Sequence, residues 1–152
     1  MNWYRQSQIE YRGINPEEDL DESDEAEQIF RKVPLGVDRS KDFSHVAIEN
    51  GVVIGAIASG WQQDNSAGEP EAVFAFDLAV KPEFRRRGVG LTLIQQAVKQ
   101  YERDKGMYEE MGSRTLMRLW VVNQLLIPVL EQKFGFHLEA EHEGGSVHMV
   151  RY

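Results

Sequence analysis

The chain has no cysteine. That excludes disulfides, cysteine-ligated zinc, iron–sulfur clusters and a thiol nucleophile, and it agrees with a reducing compartment. Long apolar runs are missing too, since none approaches the roughly 18 residues needed to cross a bilayer. The opening MNWYRQSQIEYR is polar and aromatic, without the apolar centre of a signal peptide, so a cytoplasmic location away from membranes is expected. Basic residues are outnumbered: 17 Lys and Arg face 25 Asp and Glu, leaving a net charge of -8. Nucleic acid is therefore not an expected partner, because phosphate attraction needs a basic face. The four histidines, His45, His137, His142 and His148, show no H-x-x-x-H spacing, and no metal is expected. What remains is 152 residues, 41% of them hydrophobic, a length and composition that suit one domain over 1–152 with its own core.

Local patterns order the elements. Residues 8–14 read as a first strand ended by Asn15-Pro16. Residues 16–34, PEEDLDESDEAEQIFRKVP, read as a helix, with proline and acids at its start, a thin apolar stripe (Leu20, Ile29, Phe30, Val33), and Pro34 as its stop. FSHVAIENGVVIGAIASGWQ is two β-rich runs around Asn50-Gly51, a strong hairpin signal. EAVFAFDLAV is nearly all apolar, as in a strand buried on both faces. From Gly88 the period becomes helical, with Leu91, Ile94, Ala97, Val98 and Tyr101 on one face. Residues 102–112 fit a continuation of that helix or a mobile loop. RTLMRLWVV is another strand, a helix from about Ile127 ends near Phe134 before Gly135, and the last stretch is a hairpin turning at Gly144-Gly145. The order β-α-β-β-β-α-β-α-β-β makes the class α/β (α+β), a mixed and mostly antiparallel sheet flanked by helices.

Chemistry concentrates where VKPEFRRRGVG joins a strand to a helix. The first N–H groups of a helix lack partners and carry partial positive charge. Glycines let the main chain wrap closely around an anion, so such a junction suits a phosphate or pyrophosphate. A solvated basic loop with a tight turn would use the same residues. The Walker pattern G-x-x-x-x-G-K-[ST] is absent, and the dinucleotide pattern G-x-G-x-x-G fails.

V-K-P-E-F-R-R-R-G-V-G resembles the acetyl-CoA motif of the GNAT N-acetyltransferase superfamily, an apolar strand, V-x-P-x-x-R-x-x-G-x-G/A, then a helix. N-Q-L-L-I-P-V-L-E-Q-K-F-G-F at 123–136 is similar to a second motif of that family, an asparagine leading a helix that ends in Gly-Phe. The resemblance covers about residues 44–152. It implies acetyl-CoA as co-substrate, with the pyrophosphate held by amides and charges across Arg85, Arg86, Arg87, Gly88, Val89, Gly90 and Leu91. It also implies that the edge of Leu78, Ala79 and Val80 pairs with the pantetheine arm, with an amide near Leu78 or Ala79 polarising the thioester. Asn123 would contact the arm from the other side, or else simply cap a helix or turn.

Amine acetylation needs a proton acceptor, because a lysine-type ammonium has a pKa near 10.4. The family often places a carboxylate or histidine for this on the strand before the arginines, and a tyrosine acid about four residues before the Gly-Phe. Here Phe74 and Phe76 occupy the alternating base positions. Asp77 is the one acid of that strand and points to the other face; it is the candidate base, or a structural carboxylate. Glu131 stands where the tyrosine would be and is the candidate acid, or an exposed helix glutamate. His148 lies in the last strand, which in the family's fold can border the acceptor, or else it is a strand histidine satisfied by its neighbours.

Residues 16–27 carry eight carboxylates, either a solvated helix face or a field that steers a cationic amine such as a polyamine, an aminoglycoside or a basic peptide. The C-terminal strands suit pairing between two copies, so a homodimer is the favoured state. Three functions compete: an N-acetyltransferase acting on a primary amine, a non-catalytic module binding acyl-CoA or a protein partner, and a binder of some other phosphate.

Overall fold

A computed structural model describes residues 8–15, 18–32, 43–64, 68–85, 87–121, 124–142, 144–145 and 147–152. Seven strands form one sheet in the order β1-β2-β3-β4-β5-β7-β6. They are β1 (Ile9–Gly13), β2 (Phe43–Glu49), β3 (Val52–Asp64), β4 (Glu71–Val80), β5 (Arg114–Val121), β6 (His137–Glu141) and β7 (Val147–Arg151). Among the described residues three α-helices accompany them: α1 (Leu20–Lys32), α2 (Val89–Glu110) and α3 (Ile127–Phe134). Every strand pairing is antiparallel except β4–β5, which α2 connects as a crossover.

The β2–β3 hairpin turns where expected. Asn50 and Gly51 have φ of 52° and 76°, the pair of positive angles that a two-residue turn matching strand twist demands. At α1 the start lies later than proline and acids suggest. The Asn15 carbonyl accepts the N–H groups of Glu18 and Asp19 (3.1 and 2.8 Å), closing a turn first, and the Asp19 carboxylate returns to the Asn15 N–H at 2.8 Å. Pro16 and Pro34 lie outside the described residues.

The polar stretch after Tyr101 resolves as helix as far as Glu110, with Gly112 at φ 87° beyond it. Aromatic stacking is the reason. Trp61 of β3 stacks on Tyr101 and Tyr108, with ring centroids 5.6 and 4.3 Å away, so the helix gains a packed face two turns past its apolar stripe. The Tyr101 hydroxyl also meets Thr115 Oγ1 on β5 at 3.1 Å.

Of three apolar clusters among the described residues, the two larger lie on opposite faces of the sheet. Beneath α2 and α3 pack Ile57, Phe74, Phe76, Met117, Leu119 and Met149, with Leu93 of α2 set among them. On the other face Ala26, Ile29 and Phe30 of α1 cover Val46, Val53, Ala56, Ala58 and Ala79. β4 contributes to both, which accounts for its nearly continuous apolar sequence.

Candidate functional site

The junction between β4 and α2 is built around Gly88. A short 3-10 turn, Pro82–Phe84, follows β4, and Gly88 then adopts φ 78° as the N-cap of α2. A glycine cap brings no side chain to satisfy the helix amides. Its carbonyl takes the N–H and the hydroxyl of Thr92, at 3.1 and 3.0 Å. The N–H groups of Val89, Gly90 and Leu91 therefore face out of the helix end with the positive pole of the dipole behind them.

The arginines beside this turn differ in role. Arg85 is exposed, while Arg86 lies outside the described residues. Arg87 is already engaged: its guanidinium grips the Glu49 carboxylate with two bonds, of 2.6 and 3.2 Å, and lies over the Phe84 ring. Glu49 is only 8% exposed, so this pair ties the end of β2 to the loop.

β4 and β5 part at the same end of the sheet. Their pairing runs from Glu71–Arg114 to Phe76–Leu119, and β4 continues for four residues past it, still paired with β3. The Lys81 N–H bonds the Ile54 carbonyl at 2.9 Å, and the Arg114 N–H bonds the Pro70 carbonyl at 2.9 Å. Backbone groups alternate sides along a strand, so odd positions of β4 turn to β3 and even positions turn to β5. The N–H and C=O of Leu78 and Val80 thus face the gap, and those of Ala79 face β3. Gly90 links gap and helix end: a β-carbon there would stand 3.3 Å from Leu78 Cδ2 and 3.8 Å from Val80 Cγ2.

A cavity of about 380 Å³ lies between the first turns of α2 and the end of α3, lined by Leu91, Thr92, Gln95, Lys133 and Phe134. This is within the usual range for a small-molecule site and presents one cation, Lys133. α3 stops as its sequence implies, with Gly135 at φ 73° and the Phe136 N–H returning to the Leu130 carbonyl at 3.1 Å. Asn123 falls outside the described residues, and Glu131 is exposed on α3.

Phe74 and Phe76 are buried beneath α2, and Asp77, 3% exposed, is turned to the opposite face. That face holds a grouping that single positions in the sequence do not reveal. Trp120 of β5 pairs across the sheet with His148 of β7. His142, just after β6, stacks on the Trp120 ring at 4.8 Å with its plane 6° from parallel, and its Nε2 lies 3.1 Å from His148 Nδ1. The signal available was the hairpin: a turn at Gly144-Gly145 puts 142 and 148 on facing flanks. Among the described residues no group of three or more His, Cys, Asp or Glu is placed to hold a metal.

The acids of α1 and of the turn before it are partly committed. Asp19 and Glu22 reach Arg12 of β1 at 3.5 and 2.6 Å, and Glu25 accepts the Val53 N–H of β3 at 2.9 Å. They fasten the helix to the sheet, which leaves Glu18, Asp21 and Asp24 as exposed acids of this segment.

Residues 2–136 match the family described as Acetyltransferase (GNAT) family. The chain belongs to that family. No protein of the curated set matches it in sequence. Solved structures share its fold at low identity. A GNAT-family acetyltransferase from Streptococcus pneumoniae is 14% identical with a TM-score of 0.65, over 95% of this chain and 98% of the other. The yncA protein of Salmonella typhimurium, solved with its cofactor acetyl-CoA, is 16% identical with a TM-score of 0.61, over 94% and 92%. An Arabidopsis thaliana protein in complex with the bisubstrate analogue CoA-Ac-MVNAL is 15% identical with a TM-score of 0.60, over 95% and 98%.

Proposed function

We propose that the chain is an acetyl-CoA-dependent N-acetyltransferase that moves an acetyl group directly to a primary amine while both substrates are bound. The observation that carries this reading is the parting of β4 from β5 beside a glycine-capped helix. The cleft matches the co-substrate piece by piece. The amides of Val89, Gly90 and Leu91 suit the pyrophosphate, and Arg85 and Lys133 add charge at its margins. Leu78 and Val80 offer donors and acceptors in the spacing of a missing strand, which the two amides of a pantetheine arm can complete.

Acetyl-CoA supplies an acetyl thioester, and everything else falls to the protein. The Leu78 N–H is the donor suited to the thioester oxygen as negative charge grows there, since its direction is set before the ligand arrives. Burial of Phe74 and Phe76 under α2 keeps that side of the cleft dry. The acceptor then approaches from the opposite face, the face of Asp77. We assign it as a primary amine on a small molecule or a peptide, and the exposed acids Glu18, Asp21 and Asp24 favour a cationic one.

A second reading, a non-catalytic module that binds acyl-CoA, draws on the apolar Phe74 and Phe76 and on the exposure of Glu131. Calorimetry with acetyl-CoA followed by thiol release across a panel of amines separates the two. Binding with turnover of at least one amine supports the enzyme; tight binding with no turnover of any supports the module.

A further inference from the structure

We propose that His142 and His148, backed by Trp120, form the proton acceptor for the incoming amine, a role that rests on the acetyltransferase reading above. Position is the first ground. Trp120 is the first β5 residue beyond the last β4–β5 pair, so it borders the gap, and His148 stands directly across from it on β7. Along β5 the residues Met117, Leu119 and Val121 point beneath α2, which turns Trp120 to the other face, shared with Asp77. His148 is then one strand spacing, about 4.8 Å, from the strand that walls the gap, within reach of an amine or of one intervening water. Both imidazoles are partly exposed.

Hydrogen bonding is the second ground. With His142 Nε2 and His148 Nδ1 at 3.1 Å, one ring donates and the other accepts. If His142 donates, its Nδ1 is bare; if His148 donates, its Nε2 is bare. Either arrangement of the neutral pair leaves one outer nitrogen with a free lone pair. A proton taken there can pass through the shared bond to the far side, and a second proton would set two donors against each other. The pair carries one proton at a time.

Electrostatics and packing agree. Burial holds His148 below its ordinary pKa, and the neighbouring His142 and Arg118 push the same way against Glu139. Among the described residues, the charged side chains that act on His148 are Arg118 on β5 and Glu139 on β6, which bind each other at 3.0 and 3.2 Å; Glu141 precedes His142, and Asp77 lies on the same face of β4. These effects favour the neutral, receptive form of His148. The Trp120 ring stacked on His142 steadies the imidazolium once formed.

In the reaction R–NH3+ gives one proton to the bare nitrogen. The freed lone pair forms the C–N bond, the C–S bond breaks with its electrons to sulfur, and a second amine proton ends on the thiolate. The products are the amide, the free thiol and the one proton that the pair returns to solvent.

The test compares two nucleophiles, butylamine, which is protonated at pH 7, and hydroxylamine, which is not. His148→Asn and His142→Gln should lower kcat/KM for butylamine by about 10²–10⁴-fold while hydroxylamine and acetyl-CoA affinity hold within a few fold. In the ligand-free protein, the imidazole C2-proton signals should show one proton taken up by the pair, with the second far below. Equal losses for both nucleophiles, no loss for butylamine, or two independent titrations near the ordinary histidine value would overturn the assignment. A wild-type protein that binds acetyl-CoA but acetylates neither nucleophile would instead refute the acetyltransferase reading, and this inference with it.

Discussion

Replacing Leu78 by proline deletes one backbone N–H and spares the pairing with β3. Lys81 bonds Ile54 at 2.9 Å, so alternation assigns the β3-facing positions to 81, 79 and 77, and leaves 78 facing the gap. Proline is tolerated where a strand N–H has no ladder partner, and its fixed φ lies within the extended range. The stability loss is that of trimming a half-buried leucine, about 1–2 kcal/mol. Ala79→Pro is the contrast, because its ring replaces an N–H aimed at β3 and orphans a buried carbonyl, which costs about 1–3 kcal/mol before any clash is counted. If the Leu78 N–H polarises the thioester, its loss should cut kcat by about 10²–10³-fold, the usual effect of removing one such donor. Leu78→Ala keeps the N–H and loses the side chain, so it isolates the donor. Thiol release at saturating acetyl-CoA and amine, read beside urea unfolding of each variant, measures all three. A folded Leu78→Pro with kcat within about threefold of Leu78→Ala would refute the donor assignment.

Gly88 and Gly51 both have positive φ with no heavy atom within 4 Å of an added β-carbon, so Gly88→Glu and Gly51→Glu should lose similar stability, about 1–2 kcal/mol each. Only Gly88→Glu should abolish acetyl-CoA binding in calorimetry. Arg85→Ala should weaken acetyl-CoA several-fold and leave the Tm unchanged, whereas Arg87→Ala should lower the Tm by removing the two charge-assisted bonds to the buried Glu49 carboxylate. Adding Glu49→Gln to Arg87→Ala should restore part of that loss, as thermal melts would show. His45 is held below its ordinary pKa by burial, then by the charge of Arg103, so the unfolded chain takes up its proton first as the pH falls. Stability should therefore decline from about pH 6.5 down to the folded-state pKa and level off below it for this group. His45→Gln should flatten that stretch of the Tm–pH curve.

Much of this was legible in the sequence because it rests on local rules. Asn50-Gly51 specifies a tight hairpin, Gly135 ends α3, and R-x-x-G-x-G opens α2; each needs a backbone angle or an approach that few residues permit. The length of α2 was not legible, because its second half is held by Trp61, a partner far earlier in the chain that stacks on Tyr101 and Tyr108. The engagement of Arg87 by Glu49 is hidden for the same reason, as nothing near either residue names the other. The direction of the Leu78 and Ala79 amides depends on which parity of β4 bonds β3. Apolar pattern reports side chains and says nothing of that choice. Trp120, His142 and His148 are ordinary residues singly, and only the register of β5, β7 and β6 stacks them.

The most direct test of the cleft is a crystal structure of the protein with acetyl-CoA. The arm should lie along β4 in the gap beyond Phe76, bonded to the backbone of Leu78 and Val80, with its pyrophosphate on the amides of Val89, Gly90 and Leu91. A co-substrate bound elsewhere, or one seated in the gap without those backbone bonds, would contradict it.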